Sequence, residues 1–170
     1  HPALEFSLAA MRAGKSVVTS NMEVVAKCGI ELCGCAKENG VSYEFEAAVG
    51  GGIPVLRSIR TSLAADRITK IDGILNGTTN YSLTAMRDDH AVFADALKQA
   101  QQLGYAEADP SADINGLDTQ RKVIILTALA TGMLLDEKDV YAETMTKITT
   151  ADIDGAAKLG ASVKLVGSMR

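Results

Sequence analysis

The sequence predicts an α+β fold, a mixed sheet backed by helices, on three observations. After residue 40 short strand-like and longer helix-like runs mix without the strict strand–helix alternation of a parallel sheet. Leu117 to Ala130 carries Val123, Ile124, Ile125, Leu126 and Leu129 around most of a helix's circumference, which marks a central, buried helix. A chain of 170 residues with 47% hydrophobic content can fill the core of one ordinary domain, or of one domain and a piece of another.

The opening "HPALEFSLAAMRAGKSVVTSN" reads as a helix and then a strand, with Pro2 in the first turn, Gly14 just past the helix end and Ser16 to Thr19 a short strand rich in β-branched residues. A helix and strand with no strand before them have the form of the end of a doubly wound nucleotide-binding unit whose earlier repeats lie upstream. Residues 1–21 are therefore expected to be the C-terminal remnant of a dinucleotide-binding (Rossmann) domain, and 22–170 a second domain.

Met22 to Asn39 is expected to be helical, with Val24, Val25, Ile30, Leu32 and Cys35 near a 3.6-residue period, Gly29 as a break and Gly40 as the stop. "VSYEFEAAV" alternates as a strand, a triglycine follows, Ile53 to Leu63 reads as a helix and Arg67 to Leu75 as a strand. Asn76-Gly77 ends that strand, and Thr78, Thr79 or Asn80 can cap a helix running toward Met86. A helix over Ala91 to Leu103 is closed by Gly104. Tyr105 to Gly116, acidic and interrupted by Pro110, reads as a functional loop. A capped helix near Ala151 to Leu159 and a strand "SVKLVGS" complete the pattern.

A formal charge of −4 gives no basic field for a nucleic-acid backbone, and 4% aromatic residues leave few stacking platforms. The apolar runs fall far short of the roughly 20 residues of a membrane helix, and the first residues lack a basic start followed by an apolar core. A soluble, cytoplasmic protein is expected, with neither nucleic acid nor membrane as partner. Cys28, Cys33 and Cys35 match neither a zinc pair nor a disulfide framework, so they read as reduced, small, buried apolar residues. His1 is at the chain end and His90 lies in an exposed Asp-Asp-His turn, so serine triads and histidine metal sites have little support.

Two constellations could carry chemistry. Gly50, Gly51 and Gly52 stand between a strand and a helix, yet neither G-x-G-x-x-G nor a following Lys-Ser or Lys-Thr is present, so a phosphate cradle fits poorly. A close approach of backbone to a ligand, carbonyls turned toward a cation, and a tight turn remain open. Asp118 and Lys122 are four apart and share one helical face, after a loop holding Glu107, Asp109 and Asp113. That pair reads either as a solvated ion pair or as a partly buried lysine poised to protonate a developing alkoxide beside a carboxylate.

"VVTSN", "FEAAVGGGIP", "GILNGTTNY" and "GYAEADPSADINGLDTQRK", in this order and spacing, together resemble homoserine dehydrogenase over nearly the whole chain. The resemblance implies a dehydrogenase substrate-domain fold in 22–170, which would bind substrate, catalyse and form a homodimer. It implies NAD(P)-dependent interconversion of L-aspartate 4-semialdehyde and L-homoserine, on the route to threonine and methionine. It makes Lys122 the acid and Asp118 its partner, with Glu107, Asp113 and Asp118 binding the amino-acid substrate. Thr19, Asn21, Met22 and Gly52 would lie at the cofactor. Main-chain carbonyls of Glu46, Val49, Gly51 and Ile53 would hold a monovalent cation, Na+ or K+.

The chain departs from the family pattern at Met22, where a lysine normally follows "VVTSN". A thioether neither carries charge nor donates a proton. With the upstream and downstream nucleotide-binding segments missing, the isolated chain is expected to bind dinucleotide poorly and to be inactive alone. A non-catalytic or altered-substrate relative that binds an amino-acid-like ligand is the alternative reading.

Overall fold

Pro2 lies in the first turn of α1 (Pro2–Arg12), where its missing N–H has no helical partner to lose. The computed structural model describes residues 1–170. These fall into two units, His1–Thr69 with Arg121–Val140, and Lys70–Gln120 with Tyr141–Arg170.

In the first unit α1 buries Leu8 and Met11, and the chain leaves it through Gly14, whose φ of +71° favours glycine. The short strand β1 (Val17–Val18) pairs in parallel with β2 (Tyr43–Glu44), Val17 opposite Tyr43. Between them α2 (Met22–Glu38) is capped by Asn21, whose side chain accepts from the Val24 N–H at 3.1 Å. The break expected at Gly29 does not occur. Burial of Val24, Val25, Leu32, Cys35 and Ala36 on one face outweighs the roughly 1 kcal/mol that a mid-helix glycine costs. Of the cysteines read as buried, Cys35 is buried, Cys28 is intermediate and Cys33 is exposed.

The strand expected through Val49 stops at Glu44, and Glu46–Ala48 form a 3₁₀ turn. Glu46 causes this. Its carboxylate accepts from the Leu56 N–H (3.0 Å) and the Arg57 N–H (2.8 Å), occupying amides that the start of α3 (Val55–Arg57) leaves unpaired. α3 widens into a π turn over Ser58–Ser62, where the Ser58 and Thr61 hydroxyls bond back to the Pro54 and Arg57 carbonyls.

In the second unit β3 (Ile71–Gly73) pairs antiparallel with β4 (Gly167–Met169). Around them run α4 (Gly77–Asp88), α5 (Phe93–Gln102), the single turn α6 (Ser111–Ile114), the start of α7 (Leu117–Thr131) and α8 (Thr150–Lys158). α4 packs against α5, α6 and α8. Leu83, Met86, Ala96, Met145 and Ile153 form the core there, with Phe93, Ile148 and Val163 half-buried against it. α8 starts with a reciprocal cap between Thr149 and Asp152. The strand read in "SVKLVGS" pairs only from Gly167, and Lys164 before it bonds to α4 through its side chain.

The class is α+β, as the mixed pattern predicts, and the strands form two separate two-stranded ladders. No helix is long and apolar enough to cross a membrane.

Candidate active site

The site is organised by one side chain, Asn76. Of the residues read as caps for α4, none is used; the N-cap is Asn76, extended at φ −130° and ψ 125°, with Oδ1 accepting from the Thr79 N–H at 2.9 Å. That bond fixes the amide's orientation. Nδ2 faces the other way and donates to Asp113 Oδ1 at 2.7 Å and to Asp118 Oδ2 at 2.9 Å. Both of its protons are thereby used on carboxylates.

Thr78 completes the cluster. Its hydroxyl lies 2.9 Å from Asp113 Oδ2 and 2.7 Å from the Tyr105 carbonyl, and its own carbonyl accepts from the Ser82 hydroxyl at 2.9 Å. Asn76, Thr78 and Asp118 are each no more than 9% exposed, whereas Asp113 is half-buried. Two carboxylates drawn onto one amide in a mostly dry setting concentrate negative charge of the kind that a cationic group such as an ammonium can meet.

Local chain chemistry delivers each acid. Pro110 precedes the α6 turn that presents Asp113, and the Asp109 carboxylate accepts from the Ser111 N–H at 3.1 Å; the Ser111 hydroxyl first, and this N–H second, keep its carboxyl below the usual range. Gly116, at φ +77°, then reverses the chain so that Asp118 falls in the first turn of α7, where the helix dipole favours a negative charge. Only glycine fits there. A Cβ would come 2.8 Å from the Glu143 carbonyl oxygen, and the Thr144 hydroxyl ties that same segment to the Ile114 carbonyl at 3.1 Å. Tyr105, exposed, stacks on Tyr81 with ring centroids 5.0 Å apart.

The structure thus brings Asp113 and Asp118 together. Lys122 is half-buried one helical turn beyond Asp118 on α7. Glu107 is exposed, and its carbonyl accepts from Gln101 Nε2 at 3.1 Å. Asn76 and Thr78 were legible in sequence only as turn and cap residues. The signal for more was there, since Asn-Gly-Thr-Thr places more small polar residues before the helix than one cap needs.

At the other predicted positions, the Thr19 hydroxyl accepts from the Asn21 N–H at 3.0 Å, Met22 opens α2 half-buried, and Gly52 is exposed. The first turn of α2 holds its own ion network. Glu23 accepts from Lys27 at 2.8 Å and Arg121 at 3.4 Å, and these two cations hold its carboxyl below the usual range. Arg121, 15% exposed at its side chain, also meets Glu137 at 2.8 Å.

For a cation at the triglycine, the relevant observation is the backbone. Gly50 and Gly51 take consecutive positive φ values of +80° and +58°, and no group of three His, Cys, Asp or Glu side chains is placed to hold a metal. Glu46 and Ile53 each accept one backbone N–H on their carbonyls, which leaves each oxygen a second lone pair. Carbonyl oxygen is the hard donor type that an alkali cation takes.

A homoserine dehydrogenase family model matches residues 54–170. The homoserine dehydrogenase of Bacillus subtilis is 46% identical over 163 residues, covering 96% of this chain and 38% of that protein. The crystal structure of a homoserine dehydrogenase from Thiobacillus denitrificans superposes with a TM-score of 0.96 at 46% identity, over 100% of this chain and 39% of that one. A hyperthermophilic archaeal homoserine dehydrogenase in complex with NADPH superposes with a TM-score of 0.83 at 31% identity, over 99% of this chain and 49% of its own. The chain spans less than two fifths of the length of the Bacillus protein.

Proposed function

The chain belongs to the homoserine dehydrogenase family, and from that premise we propose that it carries the substrate-handling part of an enzyme interconverting L-aspartate 4-semialdehyde and L-homoserine with NAD(P). The observation that carries this reading is the Asn76 amide holding Asp113 and Asp118 together at 2.7 and 2.9 Å. A paired, partly desolvated acid site suits the ammonium of an amino-acid substrate.

In this reading Asp113 and Asp118, with Glu107 from the preceding loop, hold the substrate amino group. Lys122 delivers a proton to the carbonyl oxygen during reduction and takes it back during oxidation, while Asp118, one turn before it, is its charge partner. A nicotinamide dinucleotide, when bound, supplies or accepts the hydride. Thr19, Asn21, Met22 and Gly52 would face it, with 1–21 as the end of the dinucleotide-binding domain and 22–170 as the substrate domain. NADPH is bound by the archaeal relative, which supports the same cofactor class here. Carbonyls of Glu46, Val49, Gly51 and Ile53 would hold Na+ or K+. A cytoplasmic homodimer, formed through the substrate domain and serving threonine and methionine synthesis, completes the proposal.

The test is homoserine-dependent reduction of NAD and NADP by the full-length protein, alongside Met22→Lys. Turnover of homoserine by the wild type, raised or unchanged by Met22→Lys, supports the reading. A wild type inert in both directions, with nothing restored by Met22→Lys, rejects it.

A further inference from the structure

Lys164 lies outside the proposed catalytic set, in the irregular segment before β4. Its Nζ donates to Asn80 Oδ1 at 2.8 Å and to Thr84 Oγ1 at 2.8 Å. Both acceptors are neutral and both belong to α4. Burial, with Arg87 nearby, lowers the tendency of this amine to hold its charge, and Asp88 opposes that effect. Arg87 itself is engaged with Asp88 at 2.6 Å. A partly buried ammonium on neutral oxygens alone is a costly device for simple packing.

Its position on α4 gives it a second use. Asn76, Asn80 and Thr84 recur at every fourth residue and so form one stripe along that helix. The bottom of the stripe is the Asn76 clamp on Asp113 and Asp118. At that point the Asn76 carbonyl accepts from the Asn80 N–H at 3.3 Å and from the Thr79 hydroxyl at 3.4 Å. Three contacts from outside the helix meet its first turns: Asn76 on the two acids, Thr78 on the Tyr105 carbonyl, and Lys164 on the turn above.

We propose that Lys164 is a positioning residue for substrate binding, anchoring α4 through Asn80 and Thr84 so that Asn76 holds Asp113 and Asp118 in register. The inference rests on the homoserine reading of that site. It adds a residue that touches none of the reacting atoms and acts through α4.

The test is steady-state kinetics with homoserine in the full-length protein, comparing wild type with Lys164→Met, Lys164→Arg and Asn80→Ala. Lys164→Met raises KM for homoserine about tenfold or more while kcat per folded enzyme falls less, the pattern of a displaced binding group. Asn80→Ala moves KM in the same direction, and Lys164→Arg, which keeps the charge and its donors, recovers most of the loss. A merely structural lysine would lower the melting temperature and the amount of folded enzyme with KM unchanged. Wild-type KM in both Lys164→Met and Asn80→Ala overturns the proposal. If Lys164→Met does not fold, KM in Asn80→Ala and Lys164→Arg decides in the same way. A wild type that turns over no homoserine overturns the proposed homoserine activity, and this assignment with it.

Discussion

Asn76 and Asp118 are 42 residues apart, and the amide of the first donates to the carboxylate of the second across a buried 2.9 Å bond. The same amide nitrogen reaches Asp113 and its oxygen caps α4, so one side chain joins the start of one helix, a single-turn helix and the start of another. Substitution there has a large effect.

Asn76→Ala removes an N-cap and two hydrogen bonds to carboxylates. Each charged bond contributes about 1.5–3 kcal/mol and the cap about 1, not fully additively, so a loss of roughly 2–4 kcal/mol is expected. Urea denaturation measures it. A change below about 0.5 kcal/mol, the range of a neutral surface substitution, would mean that Asn76 does not hold the acids.

Gly116→Ala would set a methyl 2.8 Å from the Glu143 carbonyl oxygen at a φ of +77°. Backbone strain of order 1–3 kcal/mol, with a shift of the first turn of α7, should lower the melting temperature and raise KM for homoserine together. Wild-type values for both would show that the Glu143 segment yields freely.

The Tyr43 hydroxyl is buried without a hydrogen-bond partner, and burial pushes its phenol from 10.0 up to about 12. The folded protein keeps a proton that the unfolded chain releases first. The associated stability is therefore intact below pH 10 and is lost as pH rises from there through about 12. Tyr43→Phe should be neutral or stabilising by about 1 kcal/mol near pH 7, and should remove this part of the alkaline decline. Thermal melts at neutral and alkaline pH check both, and a strongly destabilised Tyr43→Phe would contradict the unpaired hydroxyl.

The helices were legible through local signals: the 3.6-residue apolar period and Gly40 stop of α2, the Gly104 stop of α5 and the apolar run of α7. The strands were not. "VSYEFEAAV" alternates well, but Glu46 gives up extended geometry to cap α3, a contact ten and eleven residues away. In "SVKLVGS" only Gly167 to Met169 pair, and Lys164 meets acceptors 84 and 80 residues back in sequence, at Asn80 and Thr84. The acids of the site were visible through loop composition and the four-residue spacing of Asp118 and Lys122. Asn76 was hidden, because its second role exists only once the 105–116 loop folds back onto α4.

The most direct measurement is homoserine-dependent NADP reduction by full-length wild type and Lys122→Ala, with melting temperatures taken on the same preparations. A positioned proton donor contributes about 10²–10⁴-fold, so Lys122→Ala should lose at least about a hundredfold in kcat and keep its fold. A folded Lys122→Ala that turns over homoserine at the wild-type rate would contradict the assignment of Lys122 as the acid.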